Sequence, residues 1–569
     1  MEYSAICHYA EKRYCFALEK DTFLIRIRVK KGDIKRIVLH CQDKYLPLKI
    51  KDTRASVEMT LAATDHVCDY FEAVIQFHMV CLRYYFEIEG TDGGRVFYGN
   101  YEFRKEQPSD IEQMFDCPQN LREEEMLVVP EWAKNKVVYQ IFPARFATDQ
   151  PVAKDLWYKT PLRREDLKGN LRGIIDRLDH LQELGVDVLY MTPVFQSDSV
   201  HKYNTDDYYK IDPSFGTKED LKELVEKAHG RGMRVILDAV FNHSSKQFFA
   251  FADIAEKEER SAYLDWYFVE GFPLRAKMGE IPNFKTFSYF GGMPKLNLKN
   301  PQVEEYFIQV GKYWIRECGI DGWRLDVADE IGHRFWKRFR DAVKEEKPDA
   351  LIVGEEWHYG GDFLEGDEWD SVMNYHFYNA VMDLVAREEI SASQFMDSLG
   401  FLRGNLHPST CQVLWNLIDS HDTERFFYST GRNRAKHRLA AAVQLLLPGM
   451  PMIYYGDEYA MDGDREDCRR GMVWDEEHQD REMFAWYKKL IAIRHAYPCL
   501  TEGKVTACHT DDTAGTIALT SVLEQDEVTV LFHCKEGAAD LPEYAGRQDL
   551  LTEAAFDGKL GPWGTAVLS

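Results

Sequence analysis

Carboxylates, histidines and one arginine recur at the ends of short apolar runs in this 569-residue chain. "DAVFNH" carries Asp238, Asn242 and His243. "GWRLDVA" supplies Arg324 and Asp326. "LIVGEEWH" sets Glu355 and Glu356 side by side. "DSHDTER" brings Asp419, His421 and Asp422, and "HKYNTDDYY" carries His201, Tyr203 and Asp207. One such residue alone reads as a helix cap or loop anchor. Five groups at five strand ends do not, because burying many carboxylates together costs several kcal/mol unless they are paired or used. Arg324 and Asp326 are two apart on one strand and so face the same way. An arginine there would hold the aspartate ionised, as a nucleophile must be. A second carboxyl on the next strand, kept protonated by its surroundings, would serve as an acid. Two carboxyls in those roles are the chemistry of glycoside hydrolysis.

Those residues need a frame that gathers strand ends. From about residue 135, short apolar strands ("VVYQIF", "VDVLYMTPV", "RVILDAVFNH", "IDGWRLDVA", "LIVGEEWH") alternate with amphipathic helices ("LRGIIDRLDHLQELG", "KEDLKELVEKAHGRG", "HRFWKRFRDAVKEEKP"). Eight such units predict an α/β fold, a closed parallel (β/α)8 TIM barrel whose site lies at the carboxyl ends of its strands. Residues 244–297 break the rhythm after the third strand and read as an inserted subdomain. Residues 1–125 alternate with period two ("FLIRIRVKKGDIKRIVLH") and contain a hairpin closed at Gly93-Gly94, which predicts an N-terminal β-sandwich. Residues 126–499 form the barrel, with "REEEMLVVPEW" as linker. Residues 500–569 return to strands as a C-terminal β-sandwich. Alternation does not choose between Glu355 and Glu356, since both faces of a barrel strand are buried.

Bulk properties narrow the partners. With 95 acidic and 70 basic residues the net charge is −25, which argues against nucleic acid and anionic membranes. The twelve cysteines are irregularly spaced with no C-x-x-C, so reduced core thiols are expected rather than a zinc ribbon or disulfide frame. The start shows no basic leader followed by an apolar run, and no stretch is apolar enough to span a bilayer, so a cytoplasmic enzyme is expected.

With these tracts in hand, the chain resembles the α-amylase family of retaining glycosidases. Seven blocks stand in register: "GVDVLYMTPVF", "DAVFNH", "MPKLN", "GWRLDVADE", "GEEWH", "DSHDTE" and "GMPMIYYGDE". The resemblance implies that Asp326 is the nucleophile, Glu355 the acid/base, and Asp422 the carboxylate that grips the distorted sugar. It gives Arg324 the task of orienting Asp326. His243 and His421 become hydroxyl ligands, and Tyr203 the platform under the same sugar. Asp238, Asn242 and Asp207 become structural residues near the site. "MPKLN" resembles the neopullulanase, cyclomaltodextrinase and maltogenic amylase branch, which implies cyclodextrin, pullulan or maltooligosaccharide as substrate. The same branch implies a homodimer through the N-terminal domain.

The chain departs from the family pattern at four places. Asp329 replaces an asparagine on the acceptor side. Glu356 replaces an apolar or neutral residue; it is expected either to pair with a base or sit at the rim, or to lend charge that holds the proton on Glu355. "FPARFATDQPVAKD" lacks the Asp/Asn-rich loop that carries calcium in several relatives, so no metal site is expected there and no cofactor is required. "GDREDCRRGM" keeps Asp467 and Arg469 of a donor-side tract but changes the two residues before them. Two other readings remain open: a 4-α-glucanotransferase using the same ester, and a non-catalytic amylase-fold binding protein.

Overall fold

The structure is a computed structural model, and it describes the chain apart from residues 47–54, 77–80, 118–125, 161–165 and 278. The expected domain boundary at 125 lies outside the described residues. Two compact units are present. One comprises Met1–Val128 with Gly361–Asp367 and Ser393–Cys411, and the other the remainder.

The first unit is built on two antiparallel sheets. In one, Thr22–Lys30 pairs with Cys15–Glu19 and Cys68–Gln76; in the other, Ile34–Asp43 pairs with Ala55–Glu58 and Leu82–Gly90. The Gly93-Gly94 hairpin forms, with Phe86 opposite Tyr98 and Gly93 at φ 79°. Ile25, Ile27 and Val29 share a core with Leu39, Phe86 and Ile88. Period two would turn Arg26 outward, yet it is fully buried. Its Nε and Nη2 donate to Glu72 Oε1 at 2.8 and 2.6 Å, and Nη1 donates to the Leu406 carbonyl at 3.1 Å. Charge pairing with a residue on the neighbouring strand, together with carbonyls from 403–406, makes that burial tolerable.

His8 is buried in the same unit, with Nδ1 2.7 Å from the Arg26 carbonyl and Nε2 2.8 Å from the Tyr84 hydroxyl. Burial lowers its pKa to about 3. A depressed histidine contributes its full stability above the unfolded value near 6.5 and loses it as pH falls toward the folded value. That slope is ~1.4 kcal/mol per pH unit. His8→Gln should therefore flatten the fall of the unfolding midpoint of this unit below pH 6.5. Parallel curves for wild type and variant would refute the assignment.

The second unit holds a closed barrel of eight parallel strands: Val138–Ile141, Val188–Met191, Arg234–Ala239, Gly322–Leu325, Leu351–Gly354, Ser371–Asn374, Trp415–Leu417 and Met450–Tyr454. The first pairs with the eighth (Val138 opposite Met452), which closes the ring. Every residue of these strands is buried except Arg234, which opens the third. This is why a continuous apolar run rather than alternation marks them in sequence. Gly354 ends the fifth strand, where a Cβ would lie 2.3 Å from the Trp369 ring. Only glycine lets that strand end sit against the indole. The insertion after strand three contains the α-helix Phe249–Lys257 and rejoins the barrel through a bridge between His243 and Lys295. At the C-terminal end, Lys504–Asp511, Thr516–Leu523, Asp526–His533 and Thr565–Leu568 form most of a six-stranded sheet. A two-stranded sheet shares a core with it through Leu541 and Leu560. No disulfide joins any of the twelve cysteines, and among the described residues no helix is long and apolar enough to cross a membrane.

Candidate active site

The barrel register assembles the site. Asp238 on strand three lies directly opposite Arg324 on strand four, and Leu325 opposite Gly354 on strand five. Asp326 and Glu355 are the first residues beyond their strands, tied in by Asp326 N–H to the Ala239 carbonyl (3.1 Å) and Glu355 N–H to the Leu325 carbonyl (2.9 Å). Three carboxyls then meet on one fully buried guanidinium. Nη1 of Arg324 is 3.1 Å from Asp238 Oδ2 and 2.9 Å from Asp326 Oδ1, and Nη2 is 2.9 Å from Glu355 Oε2. Asp326 Oδ2 is buried and has no hydrogen-bond partner. Glu355, in contrast, is held at both oxygens: Oε2 also accepts the Val327 N–H at 2.9 Å and Oε1 accepts the Trp357 indole N–H at 3.2 Å.

One cation facing three buried carboxyls cannot hold all of them ionised. Burial, reinforced by the Glu355 charge, pushes Asp326 well above the ordinary carboxyl range, with Arg324 opposing. Burial likewise raises Asp238 to about 6 against the pull of Arg324. Arg324 pairs with Asp326, as the spacing on one strand suggests, and is shared with Asp238 and Glu355.

Around it, Tyr203 Oη lies 2.5 Å from His421 Nε2 and 3.1 Å from Asp238 Oδ2, its ring parallel to the His421 ring at 5.5 Å. His421 Nδ1 is 2.8 Å from the Gln140 amide nitrogen. Burial holds His421 well below its ordinary pKa and His243 at about 3. Both are therefore neutral hydrogen-bonding groups at neutral pH. His243 Nε2 is 3.1 Å from the Tyr203 carbonyl, while its buried Nδ1 has no partner. Asp422 is partly exposed, 3.0 Å from His421 Nε2 and 3.1 Å from Arg469 Nη2. Arg469 Nε donates to the His421 carbonyl at 2.7 Å. Asp467 pairs instead with Arg470 at 2.5 Å. Asn242 donates to Glu330 at 2.9 Å, as a loop anchor would. Asp207 accepts the Tyr209 N–H of its own strand, Asp207–Ile211, and pairs with Lys210 at 2.8 Å rather than with Arg324.

Glu355, not Glu356, joins Arg324. Glu356 is also buried and accepts the His358 N–H at 2.7 Å. Among the described residues it has neither the basic partner nor the rim exposure that sequence alone allows. Asp329, raised by burial and then by Glu356 and Glu330, lies in the same acidic neighbourhood.

Three contributors carry weak sequence signals. Gln140 is a polar residue inside an apolar strand. Trp357 adjoins the paired glutamates and stacks on Tyr375 at 4.0 Å. Val327 has φ 47°, a left-handed conformation costly for a β-branched residue; the turn aims its N–H at Glu355.

In the tract after "FPARF", Asp149 accepts the Asn170 amide at 2.7 Å, and Asn170 caps the following helix. Among the described residues the metal-ligating side chains that gather are Asp475, Glu477 and His478, of which Asp475 pairs with Lys154 at 2.7 Å.

Two buried carboxyls on a shared arginine, at the carboxyl ends of neighbouring strands of a closed parallel barrel, define a barrel glycosidase. Family comparison agrees: residues 140–472 match the α-amylase catalytic domain and residues 1–119 the α-amylase N-terminal Ig-like domain. The chain belongs to the α-amylase family of glycoside hydrolases. It is 42% identical to neopullulanase 2 of Thermoactinomyces vulgaris over 98% of this chain and 96% of that one. It is 37% identical to an intracellular maltogenic amylase of Bacillus subtilis over 94% of this chain and 91% of that one. A solved cyclomaltodextrinase superposes with TM-score 0.94 at 36% identity, covering 100% of both chains.

Proposed function

We propose that the protein hydrolyses α-1,4-glucosidic bonds in cyclodextrins, pullulan and maltooligosaccharides with retention, through a covalent glycosyl–enzyme ester. The observation that carries the reading is the shared guanidinium. Asp326 and Glu355 stand side by side on Arg324, and Asp326 alone has an unengaged oxygen. Retaining enzymes hold their two carboxyls ~5–5.5 Å apart, without the water-sized gap of inverting ones. Asp326 Oδ2 attacks the anomeric carbon while the carbon–oxygen bond to the leaving sugar breaks. Glu355 gives its proton to that oxygen. Glu355 then takes a proton from water, whose oxygen attacks the same carbon and releases Asp326. Asp422, with neutral His243 and His421, hydrogen-bonds hydroxyls of the distorted ring and favours the oxocarbenium-like transition state. Arg469 holds Asp422 in place.

The names of the relatives support the substrate class, and the relative named as intracellular supports a cytoplasmic setting. The homodimer belongs to this reading and rests on the branch resemblance. Light scattering should then give twice 66.3 kDa, and a single-chain mass would remove it. The functional test is a product panel on β-cyclodextrin, pullulan and starch. Cyclodextrin opening and panose release from pullulan are expected. Disproportionation of maltooligosaccharides without net hydrolysis would replace the reading with a glucanotransferase.

A further inference from the structure

Apart from the Arg324 cluster, the second unit has a cavity of about 330 Å³ lined by Gln196, Asp206, Asp207, Gln247, Phe249 and Tyr306. Its lining combines two chemistries. One is aromatic: Phe249 is 44% exposed, and its ring is braced by Phe248 at 4.6 Å, Tyr263 at 5.2 Å and Trp266 at 5.6 Å. Such packing fixes the ring and leaves part of it open, at little entropic cost for a ligand that stacks on it. The rest of the lining is polar. Asp206 accepts the Ser245 hydroxyl on Oδ1 and keeps Oδ2, while Asp207 has Tyr209 N–H on Oδ1 and Lys210 on Oδ2, with lone pairs left for a further donor. The Gln196 side-chain amide and the Tyr306 hydroxyl bond to no other group among the described residues. Gln247 uses its amide N–H on Asp198 at 2.9 Å and keeps its carbonyl oxygen.

A cavity whose lining joins a braced, part-exposed ring to carboxylates and amides suits a ligand that is apolar on its faces and hydroxylated at its edges. That is a pyranose. The cavity also shares its loops with the active site. Asp206 follows Tyr203 by three residues, and the Ser245 hydroxyl that bonds Asp206 follows His243 by two.

We propose that this cavity is a second glucan-binding site, which holds a distal part of a long substrate or product by stacking on Phe249 and hydrogen-bonding to Asp206, Asp207, Gln196 and Gln247. The choice of glucan as ligand rests on the proposed function; the existence of a second site does not.

The test is calorimetric titration of maltoheptaose into Glu355→Gln, which binds without turnover. Two binding events per chain are expected, and Phe249→Ala in that background should remove one. In the otherwise native enzyme, Phe249→Ala should raise KM for long maltodextrins ~3–10-fold, the loss of one aromatic stacking contact, and leave turnover of p-nitrophenyl α-maltoside unchanged. Gln196→Ala should reproduce the selective KM effect without disturbing the aromatic cluster. A single event in both backgrounds overturns the proposal. So does an equal loss on the short and long substrates, which would place Phe249 in the catalytic fold. A calcium-dependent rise in Tm that Asp206→Asn abolishes, with no second sugar event, would assign the cavity to a cation instead. Absence of glucan turnover by the native enzyme would count against the proposed function and leave the titration to decide the second site.

Discussion

Asp326→Asn should lower kcat on maltooligosaccharides by ~10⁴-fold or more, because removing a nucleophile leaves only binding and electrostatic contributions. KM should change little, since Asp326 Oδ2 makes no contact in the resting site. Glu355→Gln is expected to be equally harmful on natural substrates but much less so on glycosyl fluorides. Fluoride leaves without a proton, so only the second, base-assisted step suffers. The pair separates the roles: a nucleophile variant loses both substrates, an acid variant mainly the one with a poor leaving group. Mass spectrometry of Glu355→Gln with an activated substrate should trap a sugar on Asp326. Near-native rates for Asp326→Asn would sink the mechanism.

Arg324→Met should be among the most destabilising single substitutions in the chain. It removes the guanidinium shared by Asp238, Asp326 and Glu355, all buried. Taking one partner from a buried charge cluster costs ~3–5 kcal/mol, a large share of the ~5–15 kcal/mol of a typical fold. The sign of the pH dependence follows from the carboxyls. Asp326 and Asp238 (about 6) are already raised in the native fold, and loss of Arg324 raises them further. Raised acids contribute stability below their unfolded values, and that stability is lost as pH rises through the folded values. The variant should be most stable near pH 4–5 and lose Tm steeply toward pH 7, relative to wild type. A midpoint within a degree of wild type at pH 7 would show that the carboxyls do not depend on this arginine.

Much of the site could be read from sequence because a parallel barrel turns chain order into geometry. Each strand contributes its last residues to one rim, so strand ends alone nominate Asp238, His243, Arg324, Asp326, Asp422 and the pair Glu355 and Glu356, between which the family resemblance chose. What escaped depends on distance or conformation. The raised proton affinity of Asp326 follows from burial beside Glu355 on a shared arginine, which spacing along one strand cannot show. Val327 carries no local mark of its left-handed turn. The burial of Arg26 breaks strand alternation because its carbonyl partners lie near residue 406, far along the chain. Glu356 looked like a residue in search of a base, and the fold buries it beside a backbone N–H.

The make-up of the first unit has a consequence for the timing of synthesis. It includes Ser393–Cys411 as well as Met1–Val128, and Arg26 and Glu72 are completed by Leu406 and Arg403. At ~5–20 residues per second, the ribosome needs roughly 15–55 seconds to travel the ~280 residues from Val128 to Cys411. During that interval the two N-terminal sheets exist without the segment that finishes them, and Arg26 and Glu72 have only each other. A nascent chain stalled before residue 393 should be more open to protease at these sheets than one stalled well past 411, so the first part made would be among the last to become secure.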